Sequence, residues 1–323
     1  MNAPSSAQDA DPTLEGVVTR STGSWYHVQV GDRIVRSRIR GKFRLTRQDV
    51  TNPVAVGDRV SLRVNDEDGT GLILDIHDRT TKLSRRASGH RTDEEHVMVA
   101  NVDRAWIMQS VRLPALNAAF VDRLLVAAAV NEIPAGVIIN KMDLLTDEQR
   151  TAVMDFHLRY ADLGYPVLPM SALHGKGIEP LKAELQDQMS VVTGPSGTGK
   201  SSLLNAIEPG LDVETGEVSE STSKGTHTTT HAELHSLSFG GYLVDTPGIR
   251  EFGVRQVHPK DLAHFFPEMI SYVNECKFPD CTHDHEPGCA IQAAVDRGEV
   301  HPARYDSYLR ILESLQEEEE KRF

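Results

Sequence analysis

The chain has 323 residues, 39% of them hydrophobic, and a formal net charge of −13. That length allows two or three domains, and no apolar run approaches the ~20 residues of a membrane-spanning helix. So acidic a molecule does not adhere to nucleic acid through its overall charge.

The first stretch, Met1 to Pro12, is polar, acidic and rich in Ala and Ser. It has neither the basic start nor the apolar core of a secretory signal, so residues 1–13 read as a disordered tail and the protein as cytoplasmic. From Leu14 to about Ile76, short alternating runs are broken by turn residues. Gly16–Val18, Trp25–Val30, Arg33–Val35, Arg59–Val64 and Gly71–Ile76 predict strands, with Gly31-Asp32 and Asp68-Gly69 as turns. Five strands in this span fit a small barrel, an OB-fold over residues 14–78 or an SH3-like barrel. Between Leu14 and Arg91 there are 15 Lys and Arg against 9 Asp and Glu, a local charge of +6 that leaves −19 elsewhere. Arg33, Arg36, Arg38, Arg40, Lys42, Arg44 and Arg47 form its densest run, which suits either an RNA-docking module or a solvated basic face.

Asp78 to Glu95 is polar and basic and predicts a linker. Beyond it, strands and helices alternate. Ala105–Met108, Gly136–Ile139, Pro166–Met170, Ser190–Val192 and Tyr242–Val244 are strand candidates. Ala118–Val130, Asp147–Leu163, Ile178–Gln186 and Lys200–Ile207 have helical periodicity. This is the pattern of a parallel sheet covered by helices. From Pro259 the composition turns rich in His and Cys, then ends in a charged helix from Ala303 to about Lys321.

Gly194-Pro195-Ser196-Gly197-Thr198-Gly199-Lys200-Ser201, followed by Ser202, matches a phosphate-binding P-loop and lies between a strand and a helix. Its glycines let backbone N–H groups converge on phosphate oxygens, Lys200 reaches the β- and γ-phosphates, and the Ser201 hydroxyl suits Mg²⁺. Asn140-Lys141-Met142-Asp143 supplies the base reader. An Asp143 carboxylate accepts from guanine N1–H and the exocyclic amine, whereas adenine would turn a lone pair toward it. Ser171-Ala172 ends the next strand, where a backbone N–H can meet guanine O6. Asp245-Thr246-Pro247-Gly248 places Asp245 in the Mg²⁺ shell and the Gly248 N–H at the γ-phosphate. Between these sites runs Ser223 to His231, from which Thr229 or Thr230 is expected to complete the metal shell. Position 249 is Ile249, where many GTPases carry a water-orienting Gln. His227 is the candidate for that task; its other reading is a loop histidine that packs or caps a turn.

Ordinary GTPases run P-loop, switch threonine, DxxG, NKxD, SA; here NKxD and SA come first. A rotated start along the same sheet keeps the sites convergent, since domain termini commonly lie near each other. The three cysteines, Cys276, Cys281 and Cys289, fall in one short segment with His283 and His285. Three thiolates and an imidazole form a tetrahedral set for one structural Zn²⁺, with either histidine as fourth ligand.

These residues resemble the ribosome small subunit-dependent GTPase A family of bacteria. The resemblance runs from Leu14 to about Leu315, and rests on Asp122-Arg123-Leu124-Leu125, Asn140 to Asp143, His227 to His231, Asp245 to Phe252 and the Cys/His set. It implies a multidomain fold: an N-terminal β-barrel (OB-fold), a central α/β circularly permuted P-loop GTPase domain over 79–255, and a small α-helical zinc-binding domain over 256–323. It further implies that His283 is the zinc ligand and that His227 assists hydrolysis. Binding to the 30S ribosomal subunit and its 16S rRNA, GTPase activity stimulated by that subunit, and a late role in its maturation are implied as well. GTP is expected to be hydrolysed to GDP and phosphate, and the chain is expected to be a monomer. Thr198 stands where the family often has Val, and the acidic end Glu317 to Glu320 has no counterpart.

Overall fold

A computed structural model describes residues 13–40, 53–86, 95–211, 232–245 and 257–320. The predicted tail up to Pro12 and three basic residues of the run, Lys42, Arg44 and Arg47, lie outside these. The chain divides into two compact units. The first is Met1–Val102 with Thr229–His235, the second Asp103–Thr228 with Ser236–Phe323.

The first unit contains β1 (Leu14–Thr22), β2 (Trp25–Val30), β3 (Arg33–Ile39), β4 (Arg59–Val64) and β5 (Gly71–Ile76). β1 pairs antiparallel with both β2 and β4, β2 with β3, and β4 with β5, while β3 and β5 run parallel. The circuit β1-β2-β3-β5-β4-β1 closes into the OB-type barrel, and the β3–β5 parallel pair decides between the two barrels that the sequence allowed. Alternation fills the interior with Val18, Tyr26, Val28, Val35, Val60, Leu62 and Ile73, all buried. Asp58, fully buried, accepts from Arg79 Nε at 2.7 Å and Nη2 at 2.8 Å and from the Ala55 N–H at 2.7 Å. This buried charge is therefore paired and hydrogen-bonded, as burial requires.

The expected linker is in part a hairpin. β6 (Lys82–Arg86) pairs antiparallel with β7 (Glu95–Ala100), with Leu83 opposite Val99. Leu83, Val97 and Val99 are buried, and the Asn101 side chain accepts from the Thr80 N–H at 2.9 Å and donates to Gly57 O at 3.0 Å. One buried leucine among polar neighbours is too weak a pattern to announce a strand; its apolar partners lie beyond the turn.

The second unit alternates as the pattern predicted: β8 (Arg104–Ser110), α1 (Ala118–Val130), β9 (Ala135–Asn140), α2 (Asp147–Asp162), β10 (Val167–Pro169), α3 (Ile178–Leu185), β11 (Met189–Thr193) and α4 (Lys200–Ile207). β12 (Glu233–Ser236) belongs for most of its length to the first unit, where Glu233 pairs with Arg20 of β1; β13 (Tyr242–Asp245) returns to the second. The sheet order here is β10-β9-β8-β11-β13, with every pairing parallel. Trp106 of β8, fully buried, lies in register with Gly136 of β9, where an added Cβ would come within 2.5 Å of the indole. The Asn117 side chain caps α1 by accepting from the Phe120 N–H at 3.1 Å.

The chain ends in 3₁₀ turns over Pro259–Phe265, then α5 (Ala290–Asp296) and α6 (Pro302–Glu320). The buried stripe of α6 is Arg304, Ser307, Tyr308, Ile311, Leu312 and Leu315, the spacing of one helical face. Arg304 is 1% exposed. Its Nη1 donates to Asp122 Oδ1 of α1 at 2.6 Å, its Nε to Glu268 Oε1 at 2.6 Å, and its Nη2 to Glu268 Oε2 at 3.1 Å. The Tyr160 hydroxyl donates to the same Asp122 oxygen at 2.7 Å, and Arg123 Nη1 donates to Ser314 Oγ at 3.1 Å. The Asp122-Arg123 pair singled out in the sequence thus joins α1 to α6. Among the described residues, no helix is long and apolar enough to cross a membrane.

Candidate functional site

In an open parallel sheet, ligands meet the carboxyl ends of the strands. The P-loop leaves β11, Asn140 ends β9, Ser171 follows β10 and Asp245 ends β13. Asn140, 2% exposed, links three of these segments' chemistry. Its Nδ2 donates to Thr198 O at 2.8 Å, and its Oδ1 accepts from the Ala172 N–H at 2.9 Å. One amide therefore fastens the phosphate loop to the loop after β10 across 58 and 32 residues of chain. The approach is so close that a Cβ on Gly199 would lie 2.5 Å from Asn140 Nδ2, and the φ of +97° there already demands glycine. At Gly194 a Cβ would fall 2.2 Å from Met108 O.

The Lys200 ammonium donates to the carbonyls of Gly194 and Pro195, both at 2.9 Å, so it lies over its own loop. Thr198, fully buried, donates its hydroxyl to Pro195 O at 3.0 Å; the departure from Val is held by one more hydrogen bond. Among the described residues, no acceptor meets the backbone N–H groups of Ser196, Gly197 or Gly199. Together with the N-terminus of α4, which Lys200, Ser201 and Ser202 open, these donors make an anion site.

At the base-reading end, Ser171 Oγ donates to Asp143 Oδ1 at 2.5 Å, and His174 Nε2 stands 3.8 Å from Oδ2. The Ser171 hydroxyl, chiefly, holds the Asp143 carboxyl below its usual value. It stays an ionised acceptor, as guanine reading needs. Lys141 takes φ +60° and sends its ammonium to Leu113 O, and burial brings its pKa down. Neither the Ser171–Asp143 bond nor the Leu113 contact was foreseen from the sequence, although Ser171 itself was named. His227, Thr229, Thr230, Gly248 and Ile249 lie outside the described residues, as does the side chain of Asp245.

The second cluster is at the chain's end. The Sγ atoms of Cys276, Cys281 and Cys289 and a ring nitrogen of His283 all lie within 4.8 Å of one another. His283 Nδ1 is 3.4 Å from Cys276 Sγ and 3.5 Å from Cys289 Sγ. His285 instead turns outward, 81% exposed beside Asp284, so the geometry selects His283 from the two histidines. All three cysteines are free thiols. Burial pushes the Cys281 thiol up to about 12 and raises Cys289 too, so thiolates here require a cation at their centre. A Cys₃His set with no carboxylate or open side fits structural Zn²⁺. The turn is built by Glu286, whose carboxylate accepts from the Thr282 N–H and hydroxyl, both at 2.7 Å, and from the Asp284 and His285 N–H groups. Tyr305 and Tyr308 of α6 donate to the His283 and Thr282 carbonyls at 2.6 and 2.7 Å.

A parallel sheet with a P-loop on an interior strand, and an NKxD segment earlier in the chain tied to that loop, defines a circularly permuted P-loop GTPase, an enzyme that hydrolyses GTP. Residues 76–255 match the family model described as RsgA GTPase, and residues 15–73 match the RsgA N-terminal domain. The chain belongs to the RsgA GTPase family. It is 39% identical over 305 residues to the "Small ribosomal subunit biogenesis GTPase RsgA 2" of Bacteroides thetaiotaomicron, covering 94% of this chain and 98% of that protein. It is 38% identical over 308 residues to the protein named "Small ribosomal subunit biogenesis GTPase RsgA" in Flavobacterium johnsoniae, covering 94% of each. Among solved structures it is similar to YjeQ from Thermotoga maritima, with a TM-score of 0.77 and 34% identity over 94% of this chain and 99% of that one. It is also similar to YloQ, described as a circularly permuted GTPase, with a TM-score of 0.74 and 28% identity over 97% of this chain and 99% of that one.

Proposed function

We propose that this chain hydrolyses GTP as part of small ribosomal subunit biogenesis, binding the 30S subunit and its 16S rRNA late in maturation and being stimulated by it. The observation that carries the nucleotide reading is the Asn140 amide, which links the phosphate loop to the base-reading loop. The ribosomal part rests on relatives named as small ribosomal subunit biogenesis GTPases, which align along nearly the whole chain. In this reading Asn140, Lys141 and Asp143 read guanine with Ser171 and Ala172, and Gly194 to Ser202 cradle the phosphates. Ser201 and Asp245 offer the hydroxyl and carboxylate oxygens that suit Mg²⁺, joined by Thr229 or Thr230. When bound, Mg²⁺ supplies charge neutralisation between the β- and γ-phosphates. Gly248 donates its N–H to the γ-phosphate. The Ile249 side chain has no polar atom to hold water, so His227 orients the nucleophile and Lys200 steadies the developing charge.

Cys276, Cys281, His283 and Cys289 hold one Zn²⁺ with a structural role. We place the domain limits at 14–78, 79–255 and 256–323, and assign the protein to the cytoplasm as a monomer. Release of the γ-phosphate alters the Asp245–Ile249 segment, which leads directly into the zinc-binding region.

The test is hydrolysis of GTP against ATP, with and without purified 30S subunits, for the wild type and Lys200→Ala. Faster GTP turnover with subunits, lost in Lys200→Ala, is expected. Turnover that subunits leave unchanged would favour a nucleic-acid-binding module with a vestigial nucleotide site. Equal use of ATP would favour a P-loop ATPase or kinase.

A further inference from the structure

Folding makes no use of the chemistry on the outer face of β2 and β3. Their register sets Tyr26 opposite Ser37 and His27 opposite Arg36. Tyr26, Val28, Val35 and Ser37 point inward and are buried, which turns Trp25 and His27 of β2 outward beside Ile34, Arg36 and Arg38 of β3. The Arg36 and Arg38 guanidinium carbons lie 4.1 and 4.0 Å from the centroid of the half-buried Trp25 ring. Ile34 is 62% exposed on the same face. Among the described residues, no carboxylate pairs with Arg33, Arg36, Arg38 or Arg40. Elsewhere in this unit arginines do find partners, Arg79 with Asp58 and Arg20 with Glu233. Two like charges gathered on one ring repel each other, and each cation–π contact at an exposed site offsets this only weakly. The arrangement is completed by a ligand that is flat and anionic at once.

An unpaired nucleotide has that chemistry. Its base can take the place of one guanidinium on the indole, and the released arginine then reaches the adjoining phosphate. A duplex hides its base faces by stacking, and an acidic peptide would engage the arginines while leaving the indole unused. We propose that Trp25, Arg36 and Arg38 form a stacking platform for one unpaired nucleotide of a single-stranded RNA segment. This deepens, and rests on, the reading that the chain binds the small ribosomal subunit through rRNA.

The chain has two tryptophans, and Trp106 is fully buried in the other unit, so quenching by a stacked base reports Trp25. The full chain is titrated into a fluorescein-labelled 12-nucleotide oligouridylate and a labelled 12-base-pair RNA duplex, with poly-glutamate as competitor; anisotropy gives the affinity of every variant, and tryptophan emission gives stacking in the wild type. The single strand is expected to quench fluorescence and bind more tightly than the duplex. Trp25→Leu should lose about 5- to 150-fold in affinity with its salt slope unchanged. Arg36→Gln and Arg38→Gln should each lower that slope by about 0.7. Trp25→Phe, which keeps a ring and guards against a misfolded barrel, should retain most of the affinity. Equal binding of duplex and single strand, an unaffected Trp25→Leu, or equal competition by poly-glutamate would overturn the platform. In parallel, co-sedimentation of the wild type with 30S subunits separates the two claims. Its absence overturns the ribosomal reading, whereas its presence with an unresponsive Trp25 overturns only the platform.

Discussion

Replacing Arg304 with alanine should be among the most damaging single changes available in the second unit. The guanidinium, 1% exposed, is the only described cation paired with Asp122 and Glu268, whose side chains are 1% and 7% exposed. Burial pulls the guanidinium's pKa down, yet Glu268 and Asp122 more than offset this and leave it above its ordinary value. Without it, Asp122 keeps one strong donor, the Tyr160 hydroxyl, and a second oxygen already lacks a partner. Removing one side of a buried ion pair costs about 3–5 kcal/mol, against a total stability of about 5–15 kcal/mol for a folded domain. A further loss of about 1 kcal/mol comes from the Phe266 ring, whose centroid is 4.7 Å from the guanidinium. The assay is urea unfolding in a Trp25→Phe background, so that Trp106 alone reports the second unit. With m near 1–3 kcal/mol/M, the midpoint should fall by more than about 1 M. Asp122→Ala combined with Arg304→Ala should be less harmful than the two single losses added together, because the stranded carboxylate is gone. A midpoint shift under about 0.3 M, or strict additivity, would refute the claim that this network holds α6 to α1.

Three other outcomes follow from the sites. Purified protein should contain one zinc per chain by atomic absorption; Cys281→Ser should lose it and His285→Ala should keep it, and zinc retained by Cys281→Ser would exclude this ligand set. Asp143→Asn should weaken GTP about 100-fold or more, through loss of two charge-assisted hydrogen bonds, while gaining affinity for xanthosine triphosphate, whose C2 carbonyl accepts from an amide; unchanged preference in competition binding would sink the guanine assignment. The third concerns acid. Burial alone would raise the Glu286 carboxyl, but hydrogen bonds from Thr282 and from the backbone of its own turn bring it down to about 2. A depressed carboxyl stabilises the fold fully above its ordinary value of about 4.5, and that contribution is lost as pH falls from there through about 2. Glu286→Gln should therefore flatten the stability profile between those limits relative to wild type, and identical acid limbs for both would contradict the assignment.

The legible elements were those whose signals are local. Ala118 to Val130 repeats apolar residues at helical spacing and forms a helix over those same residues, and Gly194 to Ser201 carries its own turn chemistry. The position of Asn140 and Asp143, at the end of β9 and in the turn after it, was legible because a strand that stops at polar residues is a local signal. What stayed hidden depends on partners distant in sequence. Arg304 sits in the apolar stripe of α6, a position where periodicity alone could have flagged a buried charge, but only the fold reveals that Asp122 and Glu268 receive it. Similarly, Lys82 to Arg86 looks solvated until Val97 and Val99 come across from the other side of the hairpin. α5 is only seven residues long, and its first turn is capped by Cys289, a residue whose metal-binding pattern masked its second task.

The place of β11 between β8 and β13 also bears on how the chain is made. A ribosome releases β8, β9 and β10 in succession, and these already form a continuous parallel triplet with β8 at its rim. That rim carries Ala105, Trp106 and Ile107, and its proper neighbours, Val191 to Thr193, emerge more than eighty residues later. During that interval an apolar strand edge stands open to any passing extended segment. Slowed translation between residues 110 and 193 should therefore raise the fraction of aggregated nascent chain, a hazard that an unpermuted order, starting from the phosphate-loop strand, would shorten.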